Sequence, residues 1–270
     1  MVYIYVIITA VCFFSSVIGS ICGIGGGVII KPVLDATGIM AVDTVSFLSG
    51  CTVLSMSAMS MYKNFKREEK TAFNKRFATV LATGSVIGGI AGKSAFQVLS
   101  GCFSSVNKIG AVQAGVLAVI TFATFVYTVF KQWIRTKHID NRIITFVIGI
   151  LLGMMSSFLG IGGGPINLIV LFYFFSLETK QAAIYSLYII MFSQIASLGS
   201  TLLGKSVPEF RKEILGLMIL CGVLGGIVGS KINAKIENKI IDKLFMILIL
   251  IIIAISVYNV FHYLYPKGIP

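Results

Sequence analysis

Charge is what this chain has least of. Ten Asp and Glu and 22 Lys and Arg make up 12% of its 270 residues, against 57% hydrophobic residues. A soluble domain carries about 25% charged residues, so too little polar surface is present to coat a core in water. Histidine occurs twice, and no His, Cys and carboxylate cluster has the spacing of a metal site. The five cysteines, Cys12, Cys22, Cys51, Cys102 and Cys221, are odd in number and form no Cys-x-x-Cys pair. They read as small buried hydrophobes, not as a disulfide frame or a redox pair. No Walker-type phosphate loop is present, and Val28 and Pro165 stand where a dinucleotide fingerprint needs a third glycine. No cofactor is expected, and no enzyme. The apolar run from Val2 to Ile18 lacks the positive segment that opens a signal peptide, and is read as a retained helix.

What the chain does have is long apolar stretches, with a mean hydropathy of +0.96. Stretches near 3–30, 44–62, 77–98, 109–130, 143–172, 182–204, 214–230 and 240–263 are long enough to cross a bilayer, which takes about 20 residues. The first and fifth are too long for one simple span. The net charge of +12 sits in short segments between or bordering these runs. No basic stretch has the interleaved aromatics of a nucleic-acid platform, so no nucleic acid is expected as partner. The partners expected are the lipid bilayer and a small solute, and the apolar outer surface permits a homodimer. Segments 63–76, 131–142 and 205–213 with Lys267 carry fourteen Lys and Arg, against eight on the opposite face. The excess predicts a multi-pass inner (plasma) membrane protein with both termini and the 63–76 loop in the cytoplasm.

A shift of 137 residues aligns the two halves without a gap. Gly23-Ile24-Gly25-Gly26-Gly27 falls on Gly160-Ile161-Gly162-Gly163-Gly164, Ser20 on Ser157, Ser49 on Ser186 and Phe73 on Phe210. Gly88, Gly89 and Gly92 fall on Gly225, Gly226 and Gly229, and read as close-packing positions between helices. The expected fold is an all-α membrane protein of about eight transmembrane helices in two tandem four-helix repeats. Residues 1–130 form the first repeat, 131–142 a cytoplasmic linker and 143–270 the second. Because 63–76 and 200–213 are both basic, the copies are expected to be parallel, related by an axis along the membrane normal.

The first helix of each repeat is expected to break at its glycine cluster, since glycine is a poor helix former and tolerates positive φ. In lipid such a break must be enclosed by protein or line a wet cavity. The segments restarting at Val28 and Pro165 then present free N–H groups at a helix N-terminus, which favours an anion. No Asp, Glu, Lys or Arg is expected inside the spans, where each would cost about 2.5–3.5 kcal/mol. The candidate site is therefore Gly23, Gly25, Gly26, Gly27 and Val28 facing Gly160, Gly162, Gly163, Gly164 and Pro165. Ser49, Ser186 and Asn167 are candidates to complete it, Gln194 lies mid-span, and Lys31 reads as an interfacial lysine reaching to the lipid headgroups.

Two tandem copies that each open with Gly-x-Gly-Gly-Gly, the first followed by Pro32-Val33-Leu34, resemble the sulfite exporter TauE/SafE family of membrane permeases. The second copy has Ile169 at the position of Pro32, and Pro165 nearer its cluster. The resemblance implies a plasma-membrane transporter of small, often sulfur-containing anions such as sulfite, sulfoacetate or thiosulfate, driven by an ion gradient and not by ATP. The alternatives are a membrane-embedded thiol redox carrier, for which Cys22 lies beside the first cluster, and a non-transporting scaffold. A chain with all five cysteines replaced is expected to keep any anion flux, measured in proteoliposomes; loss of function with folding intact would favour the thiol carrier.

Overall fold

Runs of apolar residues too long for a strand leave the backbone one way to bond itself in lipid, and it takes that way throughout. The computed structural model describes residues 2–66, 73–102, 106–131 and 133–264. These form ten helices: α1 (Val2–Cys22), α2 (Gly27–Thr37), α3 (Val42–Phe65), α4 (Lys75–Cys102), α5 (Val106–Phe130), α6 (Arg142–Leu159), α7 (Pro165–Phe175), α8 (Thr179–Leu203), α9 (Lys212–Lys235) and α10 (Asn238–Leu264). Among the described residues seven helices are long and apolar enough to cross a membrane: α1, α3, α5, α6, α8, α9 and α10. Helix α4 is as long, at 28 residues, but carries Lys75, Arg76 and Lys93. Helices α2 and α7 have only eleven residues each, about 16 Å at 1.5 Å per residue.

Both glycine clusters break their helices, but the chain reverses there and does not continue across. Gly26 lies beside Ser15 and Ser16 of α1. Ile30 and Leu34 of α2 then share a core with Cys12 and Ile8 of α1, so α2 runs back along the helix that preceded it. Residues Ile39 to Ala41, just beyond α2, lie with Ile4 and Tyr5 and with Pro208 to Arg211 around one crevice. This is the termini end of the molecule: Tyr263, near the end of α10, bonds Asp35 near the end of α2 and packs on Gly110 at the start of α5. The α5–α6 connection is at the other end. There Lys137 and Ile139 donate to the carbonyls of Tyr173 and Phe174 at the close of α7, at 2.7 and 3.0 Å. The starts of α8 and α10 are at the same end, where Thr179 donates to Asp242 at 2.8 Å.

Each half therefore has four long helices and one returning half-helix, so the chain leaves it at the end opposite to the one where it entered. Helix α1 starts at the termini end and α6 at the linker end. The parallel arrangement expected from the charges is wrong: the halves run in opposite directions. The error came from counting residues 3–30 and 143–172 as single crossings. It also placed the 63–76 loop with the termini, whereas Asn74 at its edge donates its backbone N–H to the hydroxyl of Tyr185 near the linker end, at 2.6 Å.

Glycine ridges let the long helices meet closely. On α4, a side chain at Gly84, Gly88 or Gly92 would strike backbone of α6 at Phe146, Ile150 and Met154. On α9, Gly225 and Gly229 press on Ser16 and Val17 of α1, while Gly222 and Gly226 press on α3. Small residues spaced by four allow such backbone approach where lipid supplies no hydrophobic drive between helices.

Single cysteines at Tyr3, Ile39 and Lys66 in an otherwise cysteine-free chain test the reversal. A membrane-impermeant maleimide is expected to label positions 3 and 39 from one face and 66 from the other. Labelling of 3 and 66 from the same face would restore parallel halves.

Candidate functional site

The two glycine loops meet in the middle of the molecule. Gly23 and Gly25 have φ of +75° and +77°, and Gly160, Gly162, Gly163 and Gly164 have +65°, +75°, +109° and +123°. Such values cost an L-residue roughly 1–2 kcal/mol, so the loops need glycine for their path. A Cβ on Gly25 would lie 3.2 Å from the Gly162 carbonyl oxygen, and one on Gly27 would overlap the Ile161 carbonyl. Gly164 faces Val28 in the same way. Val53 of α3 lies against Gly25, Gly27 and Gly162, and Ile190 of α8 against Gly25 and Gly163. All of 23–28 and 161–165 is buried.

Opposed direction turns this contact into a pairing of helix N-termini. Helix α2 leaves the centre toward the termini end, and α7 leaves it toward the linker end with Pro165 in its first turn. The N–H groups of Gly25, Gly26, Gly27 and Val28 donate no hydrogen bond among the described residues, nor do those of Ile161 to Gly164. Asn167 is fully buried one short turn into α7; it donates to Ser186 at 3.4 Å, while its Oδ1 and the Ser49 hydroxyl have no partner. Free amides at converging N-termini favour a negative guest. The carbonyls of Ile161 and Gly162, in contact with the first loop, must turn away for a guest to part the two.

Not every expected residue reaches this centre. Gly23 packs on Ala183 near the linker end, and Gly160 beside Ser46 near the termini end, with a Cβ there 2.9 Å from the serine side chain. Ser49 and Ser186 sit one helical turn from Val53 and Ile190. Several charged groups were missed. Lys31 does not reach to headgroups: it is buried and bonds Asp35 at 3.0 Å, one turn along α2. Lys93 lies inside α4, not in a loop. The expectation of charge-free spans is thus corrected. The Lys31–Asp35 spacing of four was the available signal, since residues that far apart on a helix are neighbours.

The two ends of the molecule are sealed unequally. At the linker end, Phe73 stacks on Tyr185 at 4.8 Å between ring centroids and touches Phe65 and Tyr188, and Phe77 touches Phe175 and Tyr185. At the termini end lies the crevice, of about 850 Å³, with Asp43, Glu209 and Arg211 in its wall. Phe210 in its wall packs on Phe47, 5.4 Å between centroids.

Apolar helices of membrane-crossing length, enclosing two opposed half-helices, make up the architecture of a multi-pass membrane transporter. The chain belongs to the sulfite exporter TauE/SafE family, which it matches over residues 8–256. Neither a curated protein nor a solved structure matches it.

Two glycines separate loop geometry from simple helix capping. A Cβ at Gly162 would overlap Val53, whereas nothing lies within 4 Å of one at Gly38, where φ is +62°. Gly38→Ala is expected to cost about 1–2 kcal/mol from φ alone, and Gly162→Ala a further 1–3 kcal/mol from overpacking. Thermal unfolding in detergent checks this; equal losses would mean the centre can relax around an added methyl.

Proposed function

We propose that this chain is a secondary transporter of small anions, such as sulfite or organosulfonates, working by alternating access around the paired glycine loops. The observation that carries the reading is the convergence of two half-helix N-termini, with undonated amides, at one buried centre. The substrate contacts assigned are Gly25, Gly26, Gly27, Val28, Gly162, Gly163, Gly164 and Asn167, with Ser49 and Ser186 behind them. Gly23, Gly160 and Pro165 shape the loops. The two halves are read as copies of one five-helix unit related by an axis in the membrane plane. In support, α3 and α8 begin 137 residues apart, as do α4 and α9. Helix α1 packs on α9 as α6 packs on α4, and α2 on α10 as α7 on α5.

The reversal at the glycine clusters redistributes the charges. Among the described residues, 63–66, 73–76, 131, 133–142, Lys180 and 231–243 now share the linker end and hold thirteen Lys and Arg, against six elsewhere. That margin is wider than the fourteen to eight of the parallel reading. By the Lys and Arg excess, the linker end is cytoplasmic and both termini lie on the far side, in place of the cytoplasmic termini expected at first. With the linker end sealed by aromatics, the conformation described here faces outward.

Reconstitution in proteoliposomes tests the function, with radiolabelled sulfite, thiosulfate and sulfoacetate as probes. Saturable flux is expected for at least one of them, and Asn167→Leu is expected to lower it tenfold or more without loss of folding. Absence of flux for the whole panel would remove the anion-transport reading.

A further inference from the structure

On the termini side of the second glycine loop, a small polar cavity lies beside Gly160. Lys93, Gln113, Ser157, Gln194, Ser197 and Thr201 supply its polar wall. Three of them carry a buried atom with no hydrogen-bond partner: Ser157 Oγ, Gln194 Nε2 and Gln113 Oε1. Those residues are 4%, 2% and 3% exposed. An unmade bond on a buried polar atom is costly, so three in one cavity mark a place shaped for a guest. Lys93 makes no hydrogen bond among the described residues. Its ammonium leans on Phe96 at 5.4 Å, and Asp43 is the carboxylate whose field reaches it.

The chemistry of the guest follows from the wall. Lys93 supplies one positive charge, and Ser157 and Gln194 supply neutral donors. Gln113 supplies the opposite. Its Nε2 donates to the Phe158 carbonyl at 2.7 Å, and a carbonyl can only accept, so the amide is fixed with its oxygen left over. A halide or a fully deprotonated oxyanion would leave that oxygen unanswered. A singly charged oxyanion with one O–H or N–H answers all four groups.

Resting on the transporter reading above, the geometry points to this cavity as a second anion site. It selects monoanions that carry a hydrogen-bond donor, and holds them just outside the glycine loop. The space is about 20 Å³, room for one water-sized group. The donor end of the guest enters first, and the flexible Lys93 stem swings aside for the rest. Phe47 lines the cavity and packs on Phe210, which lines the crevice, so this pair separates the site from the termini end. Among the described residues the positions related by the 137-residue shift make no equivalent. Ser230, Leu250 and Ser57 stand 137 residues from Lys93, Gln113 and Gln194, and Ser20 and Ser60, the counterparts of Ser157 and Ser197, bond each other at 2.7 Å.

Sulfamate and methanesulfonate have the same shape and charge at neutral pH, but only sulfamate has N–H groups. Calorimetric titration of the full chain in nanodiscs is expected to give about tenfold tighter binding of sulfamate, the worth of one good hydrogen bond. Gln113→Met is expected to erase that preference while methanesulfonate binding stays. Lys93→Gln is expected to weaken both ligands about tenfold, with thermal unfolding confirming that each variant folds. Equal affinities in the unaltered chain, a preference that survives Gln113→Met, or no sulfamate binding alongside sulfite flux would overturn the site. Binding lost in Asn167→Leu but untouched by Lys93→Gln and Gln113→Met would put the anion at the glycine loops alone, sinking this inference and leaving the transporter reading. Neither binding nor flux would sink both.

Discussion

A backbone amide that leaves its helix inside lipid has no water to turn to, and the whole arrangement answers to that constraint. Two stretches, 23–26 and 160–164, give up helical bonding in mid-molecule. They survive because each is wrapped by the other and by α3 and α8, which supply Val53 and Ile190 as walls. The glycine ridges of α4 and α9 belong to the same solution. By drawing α6 and α1 into backbone contact, they close the shell around the loops without bulk.

Reversal at the loops has a consequence that a simple break would lack. A broken helix that carries on across the membrane has one end of each polarity at the gap. A helix that turns back offers only the N-terminus of its return leg, and two such legs from oppositely directed halves bring two positive dipole ends together. Helix dipoles so arranged favour a negative guest, and among the described residues no lysine or arginine lines the two loops. Charged groups are displaced outward, to Lys31 and Asp35 on α2 and Lys93 on α4.

Much of this was legible in the sequence, and the failures have physical causes. Glycine clusters that forbid a continuous helix showed where the breaks fall, because φ requirements are local. The 137-residue offset matched helix starts such as Val42 and Thr179, because hydrophobic pattern and helix bounds travel together. Direction was not legible. Hydropathy counts apolar residues and is blind to whether the chain beyond Gly27 goes forward or back; 28 apolar residues serve a long crossing or a crossing and a half equally well. The polar cavity was hidden for another reason. Lys93, Gln113, Ser157 and Gln194 come from four helices, and only packing places them on one wall. Gln194 stood out as a mid-span amide, but nothing in its neighbours named its companions.

On the transporter reading, the anchoring of the half-helices assigns the movement that alternating access requires. Helix α2 is held at its outer part by Asn259 of α10, which donates to the Pro32 carbonyl at 2.8 Å. Helix α7 is held at its outer end by different means: the linker bonds its last carbonyls, and Ser176 donates to Thr136 at 2.6 Å. Neither anchor touches the glycine end. Each half-helix is thus a short segment anchored at its outer part, with its N-terminus at the glycine loops in the centre. Small rotations about the outer anchors change the gap between the loops most. On the transporter reading proposed above, the amides assigned to the anion lie at the ends of the half-helices that the outer anchors leave unheld.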